Sequence, residues 1–270
     1  MPSSTLDDAE QAARSAHDSK PVELLARLGL ASRGLVFLVL GVLALTLALG
    51  GNAEADQDGA LRALAARPFG EPLLLVLAIG FAGYAAYLLL SAAVGHRSED
   101  HRTAMRLKDG AKCLVYAALS FSTFSFLARG GGGDSAQSRT AELMSRPGGR
   151  TAVAVVGLVV LGIGGFLAVK GVRRKHAECL EHYRLPRALR SPAIAVGAVG
   201  YVGRGITIGL VGAFLIEAAV TTDPQQAKGL DAALRSVLEQ PYGPVLLGLT
   251  AVGVLAYALW SFIEAGFRRI

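Results

Sequence analysis

The stretch PLLLVLAIGFAGYAAYLLLSAAVG, from Pro72 to Gly95, contains no Asp, Glu, Lys or Arg. A helix rises about 1.5 Å per residue and needs roughly 20 apolar residues to cross the ~30 Å hydrocarbon core of a bilayer. The stretch is too long for a strand or for an ordinary buried helix, so it reads as a membrane span. Three further charge-free runs support the same reading: Gly34 to Ala53, Thr151 to Val169 and Gln240 to Ile263. Two weaker segments complete a set of six. Cys113 to Ala128 is shorter and carries Ser120, Ser122, Thr123 and Ser125; the region of Gly205 to Val220 contains Glu217.

The whole chain agrees with its spans. Of 270 residues, 52% are hydrophobic and 18% are charged, against about 25% charged in soluble domains. The mean hydropathy is +0.45 and the net charge +6. This argues against a soluble enzyme, a disordered chain and a fibrous protein. Two cysteines, Cys113 and Cys179, are too few for a disulfide framework. The segment ahead of the first span holds Asp7, Asp8, Glu10, Asp18 and Glu23, with no basic segment before an apolar one, so it does not read as a signal peptide. Residues 1–20 are expected to be a polar cytoplasmic tail.

Basic residues assign the two sides. The tail through Arg33, the loop with Arg97 to Lys112, the loop from Lys170 to Arg204 and the C-terminal Arg268 and Arg269 hold nineteen Lys and Arg. The loops at 54–71, 129–150 and 221–239 hold eight. Positive charge accumulates in the cytoplasm, so both termini are expected there. All five histidines (His17, His96, His101, His176 and His182) fall on the same side, and the cysteines or their helix ends with them. That side is a reducing compartment. The expected location is a bacterial cytoplasmic (inner) membrane.

The spans also repeat. Arg33-Gly34 opens one span, and Pro68-Phe69-Gly70 opens the next at an offset of 35; Lys112 to Pro147 has the same offset, and that from Arg204 to Pro241 is longer by two. Gly80, Tyr84 and Ala92 fall in phase with Gly253, Tyr257 and Ala265, each offset by 173. The middle copy diverges: Lys112-Cys113 replaces Arg-Gly, and Gly148 replaces the aromatic of the second motif.

The set of motifs Arg27-Leu28-Gly29-Leu30-Ala31-Ser32-Arg33-Gly34, Asp58-Gly59-Ala60-Leu61 and Pro68-Phe69-Gly70 resembles the family labelled domain of unknown function 1206. Gly200-Tyr201-Val202-Gly203-Arg204-Gly205 and Pro241-Tyr242-Gly243 extend the resemblance, which covers roughly residues 22–270. It implies three tandem two-helix membrane units and no particular activity. The expected fold is therefore all-α and integral to the membrane: six transmembrane helices as three parallel two-helix repeats about a pseudo-threefold axis. Repeat 1 spans 21–97, repeat 2 spans 98–176 and repeat 3 spans 177–270, with a basic cytoplasmic loop at 170–190. Short amphipathic helices are expected at Pro21–Leu30 and Ser191–Tyr201, and in the outer loops around Leu61 and Leu64 and around Leu230, Leu234, Val237 and Leu238. Asp58 and Asp223-Pro224 read as their start signals.

Several residues are candidates for function. Arg33, Lys112 and Arg204 occupy equivalent positions at expected cytoplasmic helix starts. They are read either as a cationic ring for an anionic ligand or lipid headgroup, or as side chains snorkelling to the interface. A cation there opposes the helix macrodipole, which points to an anionic neighbour. Arg173, Arg174 and Lys175 lie in the basic loop, whose expected partner is the anionic inner leaflet. Glu217 is an intramembrane carboxylate near the outer end of its span, a position that marks either a site or a wet helix end. His176, Cys179 and His182 have metal-ligand types at i, i+3 and i+6, but three such residues arise easily in a charged loop, and no metal is expected. Gly200 to Gly205 has no strand before it and is no nucleotide fingerprint. No nucleophile–base pair, HExxH or Walker loop is present in the sequence.

These observations predict a non-catalytic structural or accessory bundle without a cofactor, binding lipid or a membrane-protein partner and not nucleic acid. The alternative is a small-solute or ion conduit along the pseudo-threefold axis.

Overall fold

The computed structural model describes residues 20–94, 102–130, 142–179, 186–221 and 230–267. In chain order the helices are α1 (Lys20–Ala48), α2 (Gln57–Ala65), α3 (Gly70–Val94), α4 (Arg102–Ala128), α5 (Gly149–Val172), α6 (Arg187–Thr221), α7 (Leu230–Leu238) and α8 (Gly243–Phe267). A 3-10 turn, Lys175–Cys179, lies between α5 and α6. No strand occurs among the described residues. Six helices (α1, α3, α4, α5, α6 and α8) are long and apolar enough to cross a membrane. The tail, His96, His101, His182 and Asp223-Pro224 lie outside the described residues.

Three of the spans begin earlier than expected. The separate amphipathic pieces at Pro21–Leu30 and Ser191–Tyr201 do not exist; they are the first turns of α1 and α6. Their inward face is packed rather than laid on a membrane surface: Ala26 and Leu30 are fully buried, and Ala193 and Tyr201 nearly so. Likewise α4 starts at Arg102, well before Cys113. Its first turns, RTAMRLKDGAK, are charged yet rich in strong helix formers. The consequence for function is direct. Arg33, Lys112 and Arg204 lie roughly three to five turns inside their helices, so the macrodipole argument does not apply to them. With 35 residues, α6 is about 52 Å long and exceeds the ~30 Å hydrocarbon core.

The turn before each second span is the same in all three repeats. Gly70, Gly149 and Gly243 donate their N–H to the carbonyls of Arg67, Arg146 and Gln240 at 2.9, 2.9 and 2.8 Å. The residue before each is left-handed, with φ of +64° at Phe69, +75° at Gly148 and +62° at Tyr242. Gly148 is therefore no defect of the middle copy; it is the residue that adopts this backbone without strain. A Cβ on Gly149 would stand 1.8 Å from the Leu143 carbonyl oxygen.

The short helices α2 and α7 are pinned by carboxylates. Asp56, and not Asp58, caps α2: its side chain accepts from the Gly59 N–H at 2.8 Å. Asp231 of α7 accepts from the Ala55 N–H, and Arg235 donates to the Ala53 carbonyl, tying the connection between α1 and α2 to α7.

The lateral order of the spans is set by contacts between successive repeats. The most extensive interfaces are α5 with α6, α8 with α1, and α3 with α4. Each joins the second helix of one repeat to the first helix of the next, and α8 returns to α1. Within repeats, α1 packs on α3 and α6 on α8. The corresponding pair in the middle repeat, α4 with α5, is absent from the packed pairs among the described residues. Five of the six junctions of a closed ring are thus made, and the helices form an arc from α4 through α3, α1, α8 and α6 to α5. The α5–α6 interface is the most extensive. Gly157, Gly164 and Gly171 recur at every seventh position on α5, and a Cβ on Gly164 would lie 2.6 Å from the Gly209 nitrogen. Small residues let two backbones approach in this way.

A buried cation–tyrosine cluster

Arg33 points into the bundle from α1, with 8% of its side chain exposed. Its guanidinium makes an ion pair with Glu264 of α8, whose side chain is 2% exposed. The Nε donates to the Ser261 hydroxyl at 3.1 Å and Nη1 to the Tyr116 hydroxyl of α4 at 3.2 Å. The guanidinium carbon stands 5.3 Å from the Tyr257 ring centroid. One side chain thus ties α1, α4 and α8 together. Glu264 lies in the last turn of α8, where the macrodipole disfavours an anion, and Arg33 supplies the compensating charge.

Arg204 approaches the same tyrosine from α6. It donates to the Tyr257 hydroxyl, and its guanidinium carbon lies 4.5 Å from the Tyr257 ring and 5.0 Å from the Phe37 ring. Tyr257 is buried and is flanked by two guanidinium groups. Arg204 has no carboxylate at ion-pair distance among the described residues, and its buried Nε has no hydrogen-bond partner. Lys112 pairs with Asp109 one turn back at 2.9 Å, and Asp109 accepts from Ser91 of α3 at 3.0 Å.

The three equivalent basic residues therefore do not form one ring of open cations. Two are matched to carboxylates, and the third rests on aromatic faces. The repeats do place equivalent contacts at equivalent junctions. The aligned positions Ser91, Lys170 and Glu264 on the second helices meet Asp109, Tyr201 and Arg33 on the next first helices. Arg27 and Arg106, also aligned, donate to the C-terminal carbonyls of the preceding second helices: Arg27 to Ala265 and Gly266 of α8, Arg106 to Ala93 of α3.

The cluster continues through rings. Tyr201 meets Tyr257 edge-on at 5.4 Å, and Lys170 lies 4.6 Å from the Tyr201 centroid. His176 is fully buried, stacked on Tyr201 at 5.3 Å and edge-on to Trp260 at 4.7 Å. Its Nε2 lies 3.0 Å from the Ile194 carbonyl. Burial holds the imidazole below its ordinary pKa, against the opposing effect of its backbone hydrogen bonds. His176 is thus a packing residue of the α5–α6 connection, and no group of three metal-ligand side chains occurs among the described residues.

Around this buried histidine the surface is basic: Arg173, Arg174, Lys175 and Arg187 are exposed. Glu217 is exposed on the last turns of α6, and its backbone carbonyl accepts from the Thr221 hydroxyl. Two clefts lie at the end of the bundle that carries α2 and α7. One of about 430 Å³ is lined by Arg146, Arg150, Thr151 and Ala219; one of about 300 Å³ lies between Arg62, Glu71 and Phe126. Neither reaches Arg33 or Glu264.

Reading the sequence alone misses Glu264, Tyr116 and Ser261. Glu264 follows the run from Gln240 to Ile263 and looks like the span's end. The repeat register holds the signal: offsets of 173 and 94 align Glu264 with Ser91 and Lys170, three polar residues at one position of an otherwise apolar helix.

A family model described as a domain of unknown function, DUF1206, matches residues 28–95, 110–174 and 199–268. The chain is similar to an uncharacterised protein, YxxB, of Bacillus subtilis (strain 168), with 30% identity over 260 residues covering 94% of each chain. No solved structure matches.

Proposed function

The chain belongs to the DUF1206 family, and from that premise we propose a non-catalytic accessory bundle of the bacterial cytoplasmic membrane. Both termini and the 170–190 loop face the cytoplasm, and three two-helix repeats stand about a pseudo-threefold axis that is broken between α4 and α5. Its partners are membrane lipids, the anionic inner leaflet foremost, together with a membrane protein. The observation that carries the reading is the Arg33–Glu264 pair. Arg33 and Glu264 satisfy each other, and the Arg33 side chain bridges α1, α4 and α8 where a conduit would need an open, hydrated axis. The exposed Arg173, Arg174 and Lys175 support the lipid contact, at about 1 kcal/mol per basic residue near an anionic surface.

The test is thermal unfolding in detergent with added anionic or zwitterionic phospholipid. Anionic lipid is expected to raise the midpoint of the wild type selectively. Replacing Arg173, Arg174 and Lys175 together with Gln removes that selectivity and leaves the midpoint without lipid unchanged. Equal stabilisation by both lipids would overturn the reading.

A further inference from the structure

The basic surface around His176 is unlike the rest of its end of the bundle. There Arg27 is paired with Glu23, Arg33 with Glu264 and Lys112 with Asp109. Arg173, Arg174, Lys175 and Arg187 are exposed, and no carboxylate among the described residues stands at ion-pair distance from any of them. Arg174 keeps its side chain at a φ of +54°, just past the end of α5, where helices commonly finish on glycine. The start of the chain lies close by. Arg27, two turns into α1, donates to the Ala265 and Gly266 carbonyls of α8, and Trp260 of α8 meets His176 edge-on at 4.7 Å. One helix, about 10 Å across, therefore stands between α1 and the basic turn. The repeat offset of 94 sets Arg173 level with Phe267, the last residue of α8, and so with the first turns of α1.

We propose that residues 1–19 dock on this basic surface and shield it from the inner leaflet. Charge complementarity selects this occupant. Residues 1–19 hold Asp7, Asp8, Glu10 and Asp18 against one base, Arg14, which leaves three net negative side chains to meet four exposed cations. Reach is ample: nineteen residues extend to about 60 Å, several times the width of α8. Attachment at Lys20 also holds the acids near the surface at an effective concentration in the millimolar range, so individually weak exposed pairs are enough. An acidic segment of another protein would fit the same charges but lacks the tether. The inference rests on the reading of Arg173, Arg174 and Lys175 as the lipid contact, and it makes that contact conditional. An anionic leaflet must displace the tail before it reaches the cations. The bundle then responds to the density of anionic lipid instead of binding it at all times.

Carbodiimide coupling of the full chain in mild detergent tests the contact, because it joins a carboxylate to an amine only where the two touch. Lys175 is the one amine among the four cations. Peptide mass spectrometry is expected to find Lys175 joined to Asp7, Asp8, Glu10 or Asp18. In a mixture of isotope-labelled and unlabelled chains the links fall within one chain. Salt at about 1 M, where the Debye length is about 3 Å, suppresses them. Arg173→Gln with Arg174→Gln lowers their yield while leaving the Lys175 amine in place. Two further variants read the competition with lipid: deletion of residues 1–19, and the full-length chain with Asp7→Asn, Asp8→Asn, Glu10→Gln and Asp18→Asn, which serves if the deletion does not insert. In each, the concentration of anionic phospholipid that gives half-maximal thermal stabilisation falls roughly three- to tenfold, the equivalent of a few exposed ion pairs. The midpoint without lipid is unchanged. No link in the wild type, links mainly between labelled and unlabelled chains, or a wild type that responds to anionic lipid no differently from both tail variants would each overturn the proposal. The link together with no preference for anionic lipid in any form of the chain upholds the tail contact and overturns the reading of the surface as a lipid site.

Discussion

Arg33 and Glu264 lie 231 residues apart in the chain and form an ion pair in the middle of the arc of helices, where the last repeat packs on the first. Because α8 packs back on α1, the pair joins the two ends of the sequence at a level where neither charge meets water. Such a pair is weak support for stability as a pair and strong support for register, since either charge alone is costly.

Breaking the pair from one side leaves a buried charge. Arg33→Met or Glu264→Gln is expected to cost about 3–5 kcal/mol of stability. Combining Arg33→Met with Glu264→Leu removes both charges and recovers most of that loss. Unfolding in graded denaturant checks it. Single variants within about 1 kcal/mol of the wild type would mean that the two side chains are solvated rather than paired.

The pH response follows from His176. Burial lowers its pKa in the folded chain below the 6.5 of an unfolded histidine. Below 6.5 the unfolded chain binds a proton that the folded chain refuses, so stability falls as the pH drops from 6.5 toward the lowered folded pKa. Above 6.5 the residue contributes no slope. His176→Phe keeps the ring against Tyr201 and Trp260 and removes the titration. Thermal midpoints measured between neutral and mildly acid pH should fall less steeply in this variant; identical slopes would show that His176 is not the group responsible.

The repeated turn offers a test of local strain. Gly149→Ala places a methyl group where the Leu143 carbonyl stands, a contact that the backbone cannot relieve without moving. A loss of about 1–3 kcal/mol is expected. Tyr242→Gly runs the other way at the equivalent turn: it relieves a left-handed non-glycine residue that is 82% exposed and so gives up little packing. Its stability should be equal to or above that of the wild type. A clear loss in Tyr242→Gly would show that the exposed ring is held by contacts at the membrane interface.

The spans were legible because charge-free runs as long as Pro72 to Gly95 have no reading other than a membrane helix. Their starts were less so. Charges at Arg102, Arg106 and Lys108 look like a loop, yet the same residues propagate a helix well once it extends beyond the bilayer. The sequence marks the candidate cations but not their partners. Glu264 is the first residue beyond an apolar run, and the distance that matters to Arg33 is lateral, across 231 residues of chain. The opening between α4 and α5 was hidden for the same reason. Hydropathy reports that each helix prefers lipid or protein to water, and it does not distinguish a neighbour from a gap. Only the glycines of α5 at every seventh position, Gly157, Gly164 and Gly171, mark the face that has a close partner.

Glu217 separates the bundle from a conduit. An intramembrane carboxylate that lines a pathway faces the interior and carries flux with its titration. Here Glu217 is exposed, on the last turns of α6, and no side chain pairs with it among the described residues. Replacing it with Gln keeps the shape and removes the charge. In proteoliposomes, Glu217→Gln is expected to change neither the thermal midpoint nor any proton or small-cation leak relative to the wild type. Glu264→Gln serves as the contrast, since its carboxylate is buried and its loss is read in stability. A pH-dependent leak in the wild type that Glu217→Gln abolishes at native stability would make α6 the wall of a pathway. It would also replace the accessory bundle by the conduit. With Arg33 bridging α1, α4 and α8 and no described side chain paired with Glu217, the leak is expected to be absent in both.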